Sequence, residues 1–398
     1  MAGKNKIIHR IWTDKVLFSL KRHRSVIILG PRQVGKTTFV RDILQHLDYK
    51  EFSLMDPAFY LQMEVNPASF VDIVRSLPVS TVIFIDEVQR LPDLLNSVQF
   101  LIDNFGYVFV ITGSSARKLR KAGANMLAGR VDFYKMGPFL FEEIRDAVKD
   151  SFISFDIKNV LKWGSMPPVV LAENDLDRRD FLRSYSYVYL EQEVKAEALV
   201  RRLSFFSRFL HLAAIESGKI VNYSNIGREV GVSPMTVKQF FSVLEDTLIV
   251  ERVEPFLWHA RKRISHGVKF IFFDVGVRNV IADFWGEEGF LFEQRVISEI
   301  IQYLRLFRLG ANVFYWRTKG GAEVDCVIRL DKEVIPVEIK LSSNVAASDL
   351  RGIKLFMKDY SKICKRGYVI YTGKEKMRLT DSVVALTLED FLREVIVD

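Results

Sequence analysis

Unbroken apolar runs recur through the first third of the chain, at residues 26–29, 82–85 and 107–111. None of them alternates with polar residues, which is typical of strands that are covered by helices on both faces of a parallel sheet. A helix-forming segment at residues 39–44 follows the first run closely. The pattern predicts an α/β fold with a central parallel sheet.

Helical patterns dominate the middle of the chain. Residues 138–200 contain helical segments separated by glycine and proline breaks, which predicts a helical lid or linker. Residues 221–244 form a helix-turn-helix pattern, in which Gly231 ends one helix and Ser233 caps the next, with proline at its first position. A short apolar strand and a turn follow and could supply a wing, so residues 201–265 are predicted to form a winged helix.

The last part of the chain changes to one amphipathic helix followed by strands. The helix is expected at residues 290–304, and the strands at residues 313–317, 323–328 and 334–340. A chain of 398 residues exceeds a single compact core. Four regions are predicted, with boundaries at 1–137, 138–200, 201–265 and 266–398.

A glycine-rich loop joins the first apolar run to the first helix. Its sequence is Gly30-Pro31-Arg32-Gln33-Val34-Gly35-Lys36-Thr37-Thr38, the pattern of a phosphate-binding P-loop. Gly30 and Gly35 allow a tight turn whose N–H groups face an anion. Lys36 would reach the β- and γ-phosphates of ATP, and the Thr37 hydroxyl would bind Mg²⁺. The alternative is a glycine-rich turn that binds nothing.

Two carboxylates, Asp86 and Glu87, follow the second apolar run. At the carboxyl edge of a parallel sheet, beside a P-loop, Asp86 would hold the water shell of Mg²⁺ and Glu87 would activate the attacking water. Such an acid pair after a P-loop is far more specific than either carboxylate alone. The pair predicts ATP hydrolysis as well as ATP binding.

Two further residues are candidates for the same site. Ser114 follows the third apolar run and could sense the γ-phosphate or position the water, although it could equally cap the next helix. Arg130 lies on a later loop and could stabilise transition-state charge in the site of a neighbouring subunit, in a homo-oligomer. A solvated surface arginine is the alternative.

The chain resembles a prokaryotic AAA-type ATPase family whose members carry a C-terminal domain of unknown role. The residues that carry the resemblance are the P-loop, Ile85-Asp86-Glu87, Thr112-Gly113-Ser114-Ser115 and Gly129-Arg130. It extends over nearly the whole chain and implies ATP hydrolysis on a central parallel sheet. Unlike many AAA proteins, the chain has serine in place of asparagine at the sensor position.

The predicted second helix of the helix-turn-helix carries Thr236, Lys238 and Gln239 on its exposed face, and these residue types can contact phosphates or bases. The basic run Arg261-Lys262-Arg263 strengthens the prediction of DNA as a partner. Winged helices also serve as packing modules, and acidic residues at the end of this helix oppose DNA.

Acidic residues and a lysine mark the C-terminal strands. Asp325 lies on one strand, and Glu338 and Lys340 are two apart on the next, so they point to the same face. Two carboxylates can bind Mg²⁺, and the lysine can orient a water or steady a phosphate. This order resembles the restriction-endonuclease-like fold, in which a helix acid, here Glu293, joins the site. An inactive domain with a surface ion-pair ladder would contain the same residues.

The expected protein is therefore a P-loop NTPase with a central parallel sheet, a helical lid and a winged helix, followed by a C-terminal α/β restriction-endonuclease-like domain. The leading hypothesis is an ATPase that acts on DNA. A protein-remodelling or signalling ATPase with an inert nuclease fold is the first alternative. An ATP-dependent DNA-binding switch without cleavage is the second.

Charge and cysteine content change this picture little. A net charge of +8 permits a polyanionic partner, but nucleotide binding accounts for some of that basicity. The two cysteines, Cys326 and Cys364, cannot form a disulfide framework, and Cys326 is expected in the core. With no signal peptide pattern at the start and no run near the roughly 20 apolar residues of a membrane span, a reducing, cytoplasmic setting is expected.

Overall fold

A computed structural model of the chain describes residues 7–115, 127, 129–150, 153–189, 203–257, 267–308 and 310–397. The chain divides into two compact units. The first contains Met1–Phe139 and Val243–Ile249, and the second contains Leu140–Ser242 and Val250–Asp398. The break after Phe139 lies close to the predicted domain end at residue 137. The four predicted regions and their boundaries stay predictions.

The first unit contains the predicted parallel sheet. Its strands are β1 (Ser25–Leu29), β2 (Tyr49–Ser53), β3 (Val82–Asp86), β4 (Phe109–Gly113) and β5 (Val131–Lys135). They are arranged in the order β2-β3-β4-β1-β5, and every neighbouring pair is parallel. All five residues of β1 and of β4 are buried, as the unbroken apolar runs predict. The carboxyl ends of β1, β3 and β4 therefore lie at one edge of the sheet.

Helices surround this sheet. They are α1 (Thr13–Lys21), α2 (Lys36–Leu44), α3 (Pro57–Val65), α4 (Ser69–Arg75) and α5 (Leu94–Phe105). The carboxylate of Asp56 caps α3 by accepting from the N–H of Ala58 at 2.9 Å. The left-handed Gly106 ends α5. Buried residues of β1, β3 and β4 pack against α5 in one core cluster, in which Ile27, Ile85 and Val98 are fully buried.

Helices lie before, between and after the strands of the second unit. They are α6 (Phe141–Lys149), α7 (Ile157–Trp163), α8 (Pro167–Val170), α9 (Asp175–Ser184), α10 (Leu203–Ile215), α11 (Tyr223–Val230), α12 (Pro234–Asp246), α13 (Val275–Ala282), α14 (Glu288–Phe307), α15 (Arg351–Asp359) and α16 (Leu388–Phe391), with α12 extending into the Val243–Ile249 segment of the first unit. The helix-turn-helix pattern is present in α11 and α12. Gly231 ends α11 with a φ of 84°, and the Ser233 hydroxyl accepts the N–H of Thr236 at the start of α12.

A mixed sheet follows in the second unit. Its strands are β6 (Val250–Pro255), β7 (Lys269–Phe272), β8 (Asn312–Arg317), β9 (Glu323–Leu330), β10 (Glu333–Lys340), β11 (Gly367–Tyr371), β12 (Met377–Arg378) and β13 (Val383–Leu386). The order is β12-β13-β11-β10-β9-β8-β6-β7. The predicted helix and three strands correspond to α14, β8, β9 and β10. Strand β6 pairs antiparallel with β7 and parallel with β8, so the predicted wing strand and the C-terminal strands share one sheet.

Both cysteines are buried and free. Cys326 is fully buried in β9, which confirms its prediction as a core residue. No helix among the described residues is long and apolar enough to cross a lipid bilayer.

Candidate functional site

The glycine-rich loop joins β1 to α2 and is fixed tightly against its surroundings. A Cβ atom on Gly30 would lie 2.1 Å from the carbonyl oxygen of Met136, so no other residue fits there. Gly35 and Gln33 are both left-handed, with φ values of 90° and 65°. Buried Arg10 donates to the carbonyl of Val34 at 3.1 Å. This arginine stabilises the loop, and the sequence pattern gave no sign of it.

Lys36 lies at the start of α2 with only 4% of its surface exposed. Its Nζ donates to the carbonyl oxygens of Gly30 and Pro31, at 2.9 Å each. The ammonium group is therefore held over the loop, where it would help the loop to bind phosphate. Among the other loop residues, Gln33 and Thr38 are exposed, and the remainder of the nine are partly or fully buried.

Thr37 and Asp86 come together at the carboxyl edge of the sheet. The Thr37 hydroxyl donates to Asp86 Oδ1 at 2.9 Å, although the two residues lie on different elements. The hydroxyl of fully buried Thr112, at the end of β4, donates to the same oxygen. Burial raises the pKa of Asp86, and the two hydroxyl donors oppose that rise. Thr112 lies in the Thr112-Gly113-Ser114-Ser115 motif, and its contact with Asp86 has no signal in the sequence.

These groups fit a magnesium ion. Mg²⁺ prefers oxygen ligands, and a P-loop site supplies only a hydroxyl and a carboxylate while nucleotide and water complete the octahedron. Thr37 and Asp86 present those two groups within hydrogen-bond distance of each other. In the part of the chain that the structure describes, no three His, Cys, Asp or Glu side chains form a ready metal cluster.

Glu87 directly follows β3 in a left-handed conformation, with φ 62° and ψ 45°. Its backbone N–H donates to the Thr112 hydroxyl at 3.3 Å, and its carboxylate accepts from the amide of Gln89. The same amide contacts Ser114, which is 2% exposed. The structure therefore brings Glu87 and Ser114 together through Gln89, a residue that sequence reasoning missed.

Arg130 lies beside Asp103 of its own chain. Its Nε donates to Asp103 Oδ1 at 2.6 Å, and about a third of each side chain is exposed. A role in a neighbouring subunit would require this exposed pair to separate, which costs little because solvent and salt screen surface ion pairs.

The predicted C-terminal residues also approach one another. Lys340 Nζ lies 2.9 Å from Glu338 Oε1, which agrees with their prediction on one face of a strand. Asp325 Oδ2 accepts the N–H of Ile339 at 2.8 Å, across the β9–β10 pair. The second oxygen of Glu338 is buried and has no hydrogen-bond partner among the described residues.

Burial and mutual repulsion change the acidity of these carboxylates. Burial, followed by the charge of Asp325, raises the pKa of Glu338 to about 8 and that of Glu293 to about 7. Burial also raises the pKa of Asp325. Lys269, which sequence reasoning missed, donates to Glu323 at 2.8 Å beside this group. The three predicted acids lie near one another without forming a three-ligand cluster among the described residues.

The exposed face of α12 carries two of the three predicted contact residues. Lys238 and Gln239 are exposed, and Thr236 is partly buried. The Lys238 ammonium lies 5.3 Å from the centre of the Tyr223 ring. The basic run Arg261-Lys262-Arg263 lies outside the described residues.

Three family models match parts of the chain. The model described as "AAA domain" matches residues 22–145, which include the loop, Asp86, Glu87 and Ser114. Residues 154–287 and 288–391 match two models described as domains of unknown function, DUF8612 and DUF4143. The AAA match and the loop geometry together define the class of the first unit as a P-loop AAA ATPase domain.

Two mycobacterial proteins are similar along most of the chain: "Uncharacterized protein Mb2031c" of Mycobacterium bovis and "Uncharacterized protein Rv2008c" of Mycobacterium tuberculosis. Each is 24% identical over 400 residues, which cover 96% of this chain and 83% of the relative.

Two solved structures resemble the fold loosely. The Aeropyrum pernix ORC1 protein in complex with DNA is 11% identical, covering 71% of this chain and 95% of its own, with a TM-score of 0.35. AMPPCP-bound DnaA from Aquifex aeolicus is 12% identical, covering 60% of this chain and 89% of its own, with a TM-score of 0.31. Likenesses at this level carry no functional conclusion.

Proposed function

We propose that the protein binds and hydrolyses ATP at the carboxyl edge of its parallel sheet. The observation that carries the proposal is the hydrogen bond of 2.9 Å between the Thr37 hydroxyl and Asp86, which joins the phosphate-binding loop to the acidic strand end. A glycine-rich turn that bound nothing would not need a buried lysine, a buried carboxylate and a neighbouring second acid at one edge.

Each residue has a distinct task in this proposal. The loop N–H groups and Lys36 bind the phosphates, and Glu87 accepts a proton from the attacking water. Thr37 and Asp86 hold Mg²⁺, which neutralises charge on the phosphate oxygens when bound. Ser114 contacts the γ-phosphate or the water. Arg130 acts across a subunit boundary in a homo-oligomer.

ATP turnover by the purified chain tests the proposal. Lys36→Ala and Glu87→Gln are expected to lower turnover at least about a hundredfold, because phosphate binding and proton acceptance are each lost. Lys50→Ala replaces an exposed lysine of the same unit and should keep wild-type turnover. Full activity in Lys36→Ala or Glu87→Gln would reject the assignment.

DNA is the proposed partner of the second unit. The proposed location of the protein is the cytoplasm. The support is the helix-turn-helix of α11 and α12, with Lys238 and Gln239 exposed, and the net charge of +8. ATP hydrolysis would then move a winged-helix and restriction-endonuclease-like module on DNA. The alternative is that the same cycle of ATP binding and hydrolysis serves to remodel another protein or to transmit a signal.

Turnover measured with and without duplex DNA, over a range of salt and protein concentrations, distinguishes these uses. Stimulation by DNA, and binding that weakens as salt rises, are expected if phosphates are contacted. A turnover rate per chain that rises with protein concentration supports an assembly in which Arg130 acts in trans. Turnover without any response to DNA would leave the remodelling or signalling function.

Metal-dependent cleavage of nucleic acid by the second unit is a second candidate. It is favoured by the buried Glu338 oxygen, which has no hydrogen-bond partner in the described part of the chain, and by Lys340 beside that carboxylate. Asp325 and Glu338 would hold Mg²⁺, with Glu293 adjacent. Asp325→Ala and Glu338→Ala should abolish Mg²⁺-dependent nicking, whereas Asp359→Ala, at an exposed position, should not. Binding that responds to ATP without any nicking would support a DNA-binding switch.

A further inference from the structure

Gln89 lies between the two catalytic candidates Glu87 and Ser114. It occupies the short 3₁₀ turn Val88–Arg90 and is 2% exposed. Its Nε2 donates to Glu87 Oε2 and, at 3.0 Å, to the Ser114 hydroxyl. Its Oε1 accepts the backbone N–H of Ser114 at 3.1 Å. One amide group therefore connects the end of β3 with the end of β4.

The orientation of this amide is fixed by its neighbours. Only a nitrogen can face the Glu87 carboxylate, since a carbonyl there would repel it, and only an oxygen can accept the Ser114 N–H. Both Nε2 hydrogens are used, one by each residue. A flipped amide would lose the bonds to the Glu87 carboxylate and to the Ser114 N–H, so the amide keeps one orientation and presents its nitrogen to Glu87.

The amide of Gln89 lies close to the backbone at the end of β4. A Cβ atom on Gly113 would lie 2.8 Å from the Oε1 of Gln89, so glycine at the end of β4 permits the contact. Burial also makes the bonds costly to break, because a desolvated amide regains little from water. Gln89 therefore restricts the rotation of the Glu87 side chain beyond what the strand alone imposes.

We propose that Gln89 is a positioning residue for ATP hydrolysis, holding one oxygen of Glu87 so that the other accepts the proton of the attacking water. The inference rests on the proposed function of the site. A carboxylate has two oxygens, and fixing one by a hydrogen bond directs the second. Ser114 is aligned by the same amide, so the base and the strand-end serine respond together.

This role has a defined kinetic consequence. In the proposed function the phosphates are bound chiefly by the loop and Lys36, so nucleotide affinity should depend little on the Gln89 amide. The rate of the chemical step should depend on it, because proton transfer requires a correctly oriented base. Loss of the amide is expected to lower kcat about tenfold while KM changes less than about twofold.

The test replaces Gln89 with methionine, which has a similar shape but no hydrogen-bonding amide. kcat, KM, the affinity for a β,γ-methylene analogue of ATP and the melting temperature are measured. Gln62→Met, at an exposed position of α3, is the matched control and should behave as wild type. An unchanged or raised kcat in Gln89→Met overturns the proposal, and so does a loss of analogue binding equal to the loss of kcat.

Two further variants keep the test decisive. Gly113→Ala moves the amide without replacing Gln89, so it should lower kcat with unchanged analogue affinity, and it decides the question if Gln89→Met fails to fold. In a Glu87→Gln background, Gln89→Met should add no further loss in single-turnover rate. A full additional tenfold loss there would mean that Gln89 does not act through Glu87.

Failure of the proposed function itself would appear differently. Wild-type turnover equal to that of Lys36→Ala means that the site does not hydrolyse ATP, and it overturns both proposals. Wild-type turnover that depends on Lys36 and Glu87, with full kcat in Gln89→Met, overturns only the role of Gln89.

Discussion

Thr112 contacts both acidic residues at the end of β3, Asp86 and Glu87. Its hydroxyl donates to Asp86 and accepts the backbone N–H of Glu87 at 3.3 Å, and its side chain is fully buried. A single hydroxyl can perform both tasks because it is one donor and an acceptor at once. Thr112 therefore sets the separation between the proposed metal ligand and the proposed base.

Replacing Thr112 with valine removes the hydroxyl and keeps the shape of the side chain. The Glu87 N–H and one lone pair of Asp86 then lose their partner, which should lower the free energy of unfolding of the first unit by about 1–3 kcal/mol. Urea unfolding followed by circular dichroism measures this. Thr38→Val, at an exposed helical position, should change stability by less than about 0.5 kcal/mol. Equal changes in the free energy of unfolding in Thr112→Val and Thr38→Val would show that the buried hydroxyl does not stabilise the first unit.

Sequence reasoning could find residues whose position follows from local order, and it missed those that reach the site through space. Lys36, Thr37 and Asp86 occur at fixed places in a loop or at a strand end, and the structure brings them together. Gln89 is three residues beyond Asp86 on a turn whose geometry no periodicity encodes. Lys269 lies 54 residues from Glu323 on a strand that does not pair with β9, so only the folded structure reveals their contact.

Glu299 offers a test of buried charge. Burial raises its pKa to about 7 even though Arg295 and the N–H of Phe141 face its carboxylate, and the nearby Glu142 and Glu143 add to the rise. Between about pH 4.5 and pH 7 the folded chain therefore keeps a proton that the unfolded chain releases. Stability contributed by this group is fully present below the unfolded pKa and is lost as the pH rises through the window.

Glu299→Gln removes that titration. The free energy of unfolding of wild type, minus that of Glu299→Gln, should fall between pH 4.5 and pH 7 by an amount on the order of 3 kcal/mol. Chemical unfolding at a series of pH values measures the difference. Glu375→Gln, at an exposed carboxylate, provides the comparison and should show no such slope. A constant difference for Glu299→Gln would contradict the effect of burial.

At the scale of elements, close contacts between helices depend on single small residues. A Cβ atom on Gly276, in α13, would lie 1.9 Å from the carbonyl oxygen of Trp163 at the end of α7. Backbone cannot yield as a side chain can, so the two helices would have to separate. Asp274 caps α13 by accepting the N–H of Val277 at 3.0 Å, and it also accepts the N–H of Ser165.

Gly276→Ala should therefore destabilise the second unit by at least about 2 kcal/mol, through overpacking between α7 and α13. Gly289→Ala is the matched control, since nothing lies within 4 Å of its Cβ position at the start of α14. Alanine there should be neutral or stabilise by up to about 1 kcal/mol, because it favours helix. Thermal unfolding compares the two variants. Similar melting temperatures for both would contradict the packing argument.

Individual helices and strands could be predicted from the sequence where hydrophobic periodicity is strong. The pairing of distant strands in one sheet could not. Gly231 and Ser233 predicted the turn between α11 and α12, and the structure confirms both. The predicted division at residue 265 separates β6 from β8, yet these strands pair in one sheet. Their pairing is parallel and joins strands about 60 residues apart, and no local signal in the chain specifies such a contact.

For the whole molecule, the DNA-binding proposal predicts a change in salt dependence. Lys238 is exposed on α12, and a lysine that neutralises one phosphate releases about one counterion. In Lys238→Ala, the slope of log affinity against log salt concentration should become shallower by about 1, with similar weakening for unrelated sequences. Fluorescence anisotropy with labelled duplexes measures the slope. Lys219→Ala, which removes an exposed lysine already paired with Glu216, should keep the wild-type slope. The same slope in Lys238→Ala and wild type would mean that this face of α12 does not contact phosphate, and the support for DNA would then rest on charge alone.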